Sequence, residues 1–213
     1  MPALPIGLTH AFARTAHRTG LLGDTFHKKR TPDGLVEAVG GIRRDKAEPA
    51  HLALAARLPN YQPDLLQKAL QERKSVLRTW GVRGQLQVIP RTQASLYLAG
   101  AGITAPRWMR FLEARSNLST TARLRLLKRL CPEVLSRDAL RDAIADSNTR
   151  LFMLREAAQD GYIVWRDGDG PQSSFVWTKE WLGKKIERIH DYTDLVGAYI
   201  DSYGPVGAPD LAS

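Results

Sequence analysis

Residues 162–178, which read YIVWRDGDGPQSSFVWT, decide the fold. Two short runs of β-branched and aromatic residues flank a loop that is rich in Gly, Asp, Ser and Pro. Such a pattern is typical of two antiparallel strands joined by a wing loop. We therefore predict a β-hairpin at this position, closing the best-defined structural unit of the chain.

Three predicted helices precede this hairpin. Ser119 is a candidate N-cap for a helix whose leucines share one face, and Ser136 is a candidate N-cap for a second helix. Ser147 or Asn148 caps a third helix, which runs to about Asp160. Three helices followed by a hairpin is the order of elements in a winged helix.

The same order occurs earlier in the chain. Short helices are predicted at Gly34–Val39, from Pro49 and from Pro63, and a hairpin follows with strands at 76–80 and 85–89. The expected fold class is mainly α with small β-hairpins (α+β), with winged-helix modules in tandem. The expected divisions are an N-terminal arm or helix over 1–31, winged helices over 32–104 and 105–183, and an incomplete third winged helix over 184–213. The incomplete unit predicts a fragment or a truncated gene product.

The charge balance points to a polyanionic partner. Lys and Arg total 31 against 22 Asp and Glu, which gives a net charge of +9. This excess favours nucleic acid first and an anionic membrane surface second, although a basic protein without such a partner stays an alternative. With the winged-helix order of elements, the expected partner is double-stranded DNA. Cys131 is a single cysteine, which suits a reducing cytoplasm, and no apolar run approaches the ~20 residues of a membrane span. We expect a cytoplasmic, nucleoid-associated monomer.

Conventional catalytic motifs are missing from the sequence. It contains no Walker A loop, no GxGxxG, no CxxC and no HExxH, and its five histidines lack metal-ligand spacing. We therefore expect no cofactor and no metal. Composition and pattern by themselves predict a DNA-binding scaffold.

The predicted third helix of the second unit corresponds to the helix that enters the major groove in helix-turn-helix proteins. Its outward face is predicted to carry Met153 and Glu156, flanked by Arg150 and Arg155. Since a carboxylate on this face would repel phosphates, the helix is either a reading helix or a packing scaffold. The dense basic stretch at 107–129 favours contacts with the DNA backbone over base readout.

Two segments resemble a known family. Residues 76–87, VLRTWGVRGQLQ, are similar to the R-T-W-x-x-R-G-T-L-H segment of the AlkZ/YcaQ-like family, bacterial winged-helix proteins that include DNA glycosylases. Residues 40–45, GGIRRD, resemble the G-aliphatic-Q-x-Q/D segment of that family. The resemblance covers about residues 33–213. It implies a concave basic surface around duplex DNA and metal-free release of alkylated or crosslinked purines.

The resemblance also assigns candidate catalytic residues. Arg43 stands where the family has its first Gln, and Asp45 matches the second position of a Gln-x-Asp variant. A carboxylate there would orient water and stabilise an oxocarbenium-like transition state. Arg43 would oppose the developing cation or grip a phosphate. The alternative roles of Asp45 are an N-cap of the following helix and an ordinary surface acid.

Three functions stay open at this point: a DNA glycosylase-like protein, a non-catalytic regulatory or architectural DNA-binding protein, and an inactive truncated paralogue. Trp80 is expected in the core rather than as a base-stacking platform. In the hairpin, Gln85 and Gln87 replace the family's Thr and His. The alternative is that both are ordinary polar residues on the face of a strand. The predicted DNA-binding residues are Arg78, Arg83, Gln85, Gln87, Arg107, Arg110, Arg123, Arg125, Lys128, Arg129, Arg150 and Arg155.

Overall fold

The structure is a computed structural model that describes residues 31–103, 107–167, 174–189 and 192–203. The predicted arm before Thr31, the wing loop at 168–173 and the predicted helix start after Pro209 lie outside these residues.

The first part of the chain forms three helices and three strands. They are α1 Pro32–Ala38, β1 Ile42–Arg43, α2 Ala47–Ala55, α3 Pro63–Gln71, β2 Val76–Trp80 and β3 Leu86–Pro90. α1 begins where the Thr31 hydroxyl accepts a hydrogen bond from the Gly34 N–H, and α3 begins at Pro63 as predicted. α2 begins at Ala47, two residues before the predicted start at Pro49. β2 covers the predicted strand at 76–80, and β3 begins one residue after the predicted start, at Leu86.

The second part begins with a 3₁₀ turn, Arg91–Gln93. It continues with α4 Ala94–Ile103, α5 Arg107–Arg115, α6 Thr120–Leu130, β4 Val134–Ser136, α7 Arg137–Ala143, α8 Ser147–Gln159, β5 Ile163–Asp167, β6 Ser174–Trp177, α9 Thr178–Leu182 and α10 Thr193–Tyr203. Ser119 and Ser136 cap α6 and α7 as predicted. The cap of α8 is Asp146 rather than Ser147 or Asn148. Its carboxylate accepts the Thr149 N–H at 2.6 Å. Hydrogen bonding to the Thr149 side chain, and then to its backbone N–H, lowers the pKa of Asp146.

Within the described residues, six strands form one antiparallel sheet in the order β1-β3-β2-β5-β6-β4. The two hairpins meet where Arg78 of β2 pairs with Trp165 of β5. β1, β2 and β6 therefore run in one direction, and their carboxyl ends lie at the same end of the sheet. Asp167 and Ser174, which flank the wing loop, lie at the opposite end. The predicted domain boundaries stay a prediction, and the two hairpins share a sheet.

The hydrophobic core covers both faces of this sheet. Trp80 and Leu86 of the first hairpin are buried together with residues of α6, α7 and α8. The ring centroid of Trp80 lies 5.0 Å from that of Trp165, so Trp80 is a core residue as expected. Cys131 is buried in the same cluster, and burial raises the pKa of its thiol.

Candidate nucleic-acid interface

Arg43 and Asp45 lie together at the edge of the sheet. The Arg43 Nε donates a hydrogen bond to the Asp45 carboxylate, and the two side chains are 65% and 42% exposed. Lys46 occupies the N-cap position of α2 and makes no side-chain cap bond. The alternative that Asp45 caps α2 is therefore wrong. The carboxylate faces solvent and is paired with a neighbouring cation.

Gln87 is the cross-strand neighbour of this pair. It stands opposite Arg43 on one side and opposite Thr79 on the other. Residues that are directly opposite in an antiparallel sheet point to the same face. A Cβ on Gly81 would come within 2.3 Å of the Gln87 Oε1, so the absence of a side chain at Gly81 leaves room for this amide. The fold thus brings together Arg43 and Gln87, which are far apart in the sequence.

Two of the arginines predicted to bind DNA are buried. Arg78 is 4% exposed, donates to the Arg44 carbonyl at 3.2 Å, and lies over the Trp165 ring. Arg155 donates to the Gly84 carbonyl at 2.6 Å, and burial lowers the pKa of its guanidinium. We correct both predictions, because these side chains hold the sheet and the hairpin tip and present no charge to a DNA surface.

Arg123 is also buried, and its partner is Glu156. The Arg123 Nε donates to one carboxylate oxygen of Glu156 at 2.7 Å, and a second nitrogen donates to the other oxygen. This hydrogen bonding raises the pKa of Arg123. The predicted DNA contact of Arg123 and the predicted outward position of Glu156 are both corrected, since the two groups satisfy each other inside the protein.

The third helix of the second unit packs inside the protein along most of its length. α8 is buried around most of its circumference, including the predicted outward residue Met153. Arg150, near its start, donates to the carbonyls of Ile144 and Ala145. The buried residues of this helix cannot contact DNA, whereas Ser147 and Asn148 at its amino end are exposed. The burial of α8 favours the packing-scaffold interpretation, and groove reading by its amino end stays a prediction.

The predicted cations that face solvent lie on α5 and α6. Arg110, Arg125 and Arg129 are exposed, whereas Lys128 and Gln85 are partly buried. The side chains of Arg83 and Arg107 lie outside those that the structure describes. The solvent-facing surface of α6 is therefore basic, which suits contacts with a phosphate backbone, whereas on α5 the exposed Glu113 offsets the charge of Arg110.

Sequence reasoning missed the lysines that follow β6. Lys179 and Lys185 lie beside Lys128 and line the same cleft. The signal in the sequence was the short interval between them, within KEWLGKK at 179–185. Their proximity to α6 depends on the packing of α6 against the sheet, which no local pattern reveals.

Neither a metal cluster nor a membrane span occurs in the part of the chain that the structure describes. There, no group of three or more His, Cys, Asp or Glu residues is arranged to hold a metal ion. No helix in that part is long and apolar enough to span a bilayer.

Comparison with known proteins gives one family and one structure. The model of the family described as "DNA glycosylase AlkZ-like" matches residues 36–213. The solved structure of the Streptomyces sahachiroi DNA glycosylase AlkZ matches with a TM-score of 0.66 and 22% sequence identity. The match covers 92% of this chain and 57% of that chain, so this chain spans little more than half of that protein's length. No curated protein matches. The likeness confirms the predicted winged-helix α+β fold.

Proposed function

The chain belongs to the AlkZ-like DNA glycosylase family, and from this premise we propose that it binds double-stranded DNA and releases alkylated or crosslinked purines. The observation that supports the proposal is the position of Asp45. Its carboxylate is exposed at the end of β1, at the same end of the sheet as the tip of the first hairpin. A carboxylate in this place is accessible to a bound duplex.

The chemistry requires few groups. A purine alkylated at N7 or N3 carries a positive charge and departs without a strong general acid. As the C1′–N9 bond breaks, its electron pair moves to the purine and the sugar becomes oxocarbenium-like. Asp45 would stabilise that charge and accept a proton from the water whose oxygen attaches to C1′. DNA that covers Asp45 would strengthen this effect by excluding solvent.

The ion pair between Arg43 and Asp45 has to break for this reaction. The Arg43–Asp45 pair is exposed, and exposed ion pairs contribute only about 0–1 kcal/mol. A DNA phosphate can therefore replace the carboxylate as the partner of Arg43 at little cost. In this proposal, binding of the duplex moves Arg43 onto the backbone and leaves Asp45 facing the damaged nucleotide.

The second candidate function is DNA binding without catalysis. It is favoured by the pairing of Asp45 with Arg43, because a neighbouring cation offsets the negative charge that would stabilise the transition state. In that case the protein would hold duplex DNA through its basic helices and leave the glycosidic bond intact.

Release of N7-methylguanine from a defined duplex distinguishes the two candidates. We expect the wild-type protein to release the base under single-turnover conditions. Asp45→Asn should slow release on the order of 100-fold or more, because the charge that stabilises the sugar cation is gone. Asp64→Asn, which changes another exposed and ion-paired carboxylate, should keep the wild-type rate.

Arg43→Gln completes the experiment. It removes the cation and keeps Asp45, so base release should persist while DNA affinity falls. DNA binding with no base release by the wild-type protein would favour the non-catalytic candidate. The inactive-paralogue hypothesis would be favoured if the protein neither bound DNA nor released the base.

A further inference from the structure

A cleft of about 390 Å³ lies between α6 and the residues that follow β6. Its apolar surface comes from Leu124, Tyr162 and Trp177, and its rim is basic. We call it the cationic cleft, and its rim cations are Arg125, Lys128, Lys179 and Lys185. The volume falls within the range of small-ligand sites, which makes the cleft large enough for part of a nucleic-acid strand.

The rim carries more positive than negative charge. Among the described lining residues, Glu180 is the acid that faces these cations, and its carboxylate lies 2.5 Å from the Lys128 Nζ. This hydrogen bond lowers the pKa of Glu180. Arg125 and Lys179 are exposed and form no ion pair with another described residue. The surplus charge suits an anionic partner.

The aromatic rings of the cleft already have partners. The Lys128 Nζ lies 4.6 Å from the centroid of Trp177, and the Lys185 Nζ lies 4.3 Å from the centroid of Tyr162. The Trp177 Nε1 donates to the Cys131 carbonyl at 3.0 Å. Because amines occupy the ring faces, the rings hold cations in position and are not free platforms for stacked bases. The expected contacts are with phosphates.

The cleft lies at the same end of the sheet as Asp45. Asp45 follows β1, and Thr178 and Lys179 follow β6, which runs in the same direction as β1. Four strand spacings of ~4.8 Å separate β1 from β6, or about 20 Å. The Arg43 side chain points to one face of the sheet and Trp177 to the other, so a duplex that contacts both sites would cross this end of the sheet.

We propose that the cationic cleft binds the phosphodiester backbone of the DNA duplex whose damaged nucleotide lies at Asp45. The proposal rests on the proposed function for its account of Asp45, and the cleft itself is a second contact with the same duplex. Contacts of this kind fix the register of a protein on DNA and carry no sequence information. The cleft would therefore position undamaged and damaged duplexes equally well.

The test is the salt dependence of binding to an undamaged duplex, measured by fluorescence anisotropy. The double variant Arg125→Gln, Lys179→Gln should lower the slope of log K against log salt by about two, since each phosphate contact contributes roughly 0.9. Affinity near 0.1 M salt should fall roughly 10- to 100-fold. The control is Lys68→Gln, Arg73→Gln, which removes the same charge from α3 and the residues after it, near the amino end of β2.

The outcomes separate the cleft from the chemistry. An unchanged slope in the cleft variant, or an equal change in both double variants, would overturn the proposal. In the cleft variant, the protein concentration needed for half-maximal base release should rise with the loss of affinity, whereas Asp45→Asn slows base release at every protein concentration. If the wild-type protein releases no base, the salt slopes of the two double variants still test whether the cleft binds DNA. Should the double variant alter the melting transition, Lys179→Gln alone is used, with an expected slope change of about one.

Discussion

The arginines of this protein differ in burial, and burial determines what each of them contacts. Arg43 is exposed and pairs with a carboxylate beside the hairpin. Arg78 and Arg123 are 4% exposed and bind groups inside the protein. A sequence shows where charge lies along the chain, whereas burial depends on which elements pack over it. For that reason, Arg43, Arg78 and Arg123 were all predicted to contact DNA or to act in catalysis. The prediction still stands only for Arg43.

The buried pair Arg123–Glu156 gives a prediction about stability. Glu156→Ala leaves the Arg123 guanidinium buried without its carboxylate, so the free energy of unfolding should fall by about 3–5 kcal/mol. Glu180→Ala removes the partner of Lys128 in an exposed ion pair. It should lower the free energy of unfolding by less than about 1 kcal/mol. Urea unfolding of both variants measures the difference. Equal losses would show that the Arg123–Glu156 pair does not act as a buried pair.

The candidate site was predictable at the residues that lie within a motif. Asp45 and Arg43 are two positions apart in GGIRRD, so the resemblance alone identified them. Lys179 and Lys185 were missed because they meet Lys128 only after α6 packs beside β6. Contacts between distant segments depend on the fold, and a local pattern cannot supply them.

Two glycines at the ends of helices provide a matched test at the scale of the element. Gly161 after α8 and Gly183 after α9 both have positive φ angles, of 74° and 81°. A Cβ on Gly161 would lie 1.9 Å from the Ile186 carbonyl oxygen, whereas nothing lies within 4 Å of a Cβ on Gly183. Both variants place an alanine in the left-handed region of the backbone. Only in Gly161→Ala would the new Cβ also collide with a backbone atom.

We therefore expect Gly183→Ala to lower the free energy of unfolding by about 1 kcal/mol. Gly161→Ala should lower it by about 3 kcal/mol or more, since a backbone atom has to move. Denaturant unfolding of the two variants measures which of them loses more stability. A smaller loss for Gly161→Ala would mean that the segment around Ile186 shifts easily.

Elements were predictable where their signals are local. The hairpin at 76–90 and the caps Ser119 and Ser136 follow from turn and cap chemistry within a few residues. β1 and β4 have two and three residues and depend on pairing with β3 and β6. The outward positions predicted for Met153 and Glu156 on α8 were wrong, because a helix buried on most sides shows no clear polar face.

At the scale of the molecule, the shared sheet predicts cooperative unfolding. Trp80 and Leu86 of the first hairpin are buried against α6, α7 and α8, so neither half completes its core alone. We expect one calorimetric transition with equal calorimetric and van't Hoff enthalpies. Trp80→Ala should lower the stability of that single transition by about 3–5 kcal/mol. Two separable transitions would contradict this expectation.

The tandem order of the elements was predictable, and the connection between the two hairpins was not. Each hairpin has its own turn signal, and therefore its position could be predicted from the residues around it. The pairing of Arg78 with Trp165 joins β2 to β5 across a long stretch of chain, and no sequence pattern marks it. Register between distant strands follows from the packing of the helices on both faces.

The junction between β2 and β5 also bears on how such proteins diversify. Recombination that exchanged residues 105–183 for those of a relative would separate Trp80 and Leu86 from the core they complete. A viable chimera would have to inherit the first hairpin together with the helices it packs on. The first hairpin and the helices that pack on it should therefore be exchanged together. Recombination at the segments outside them should disturb the core less.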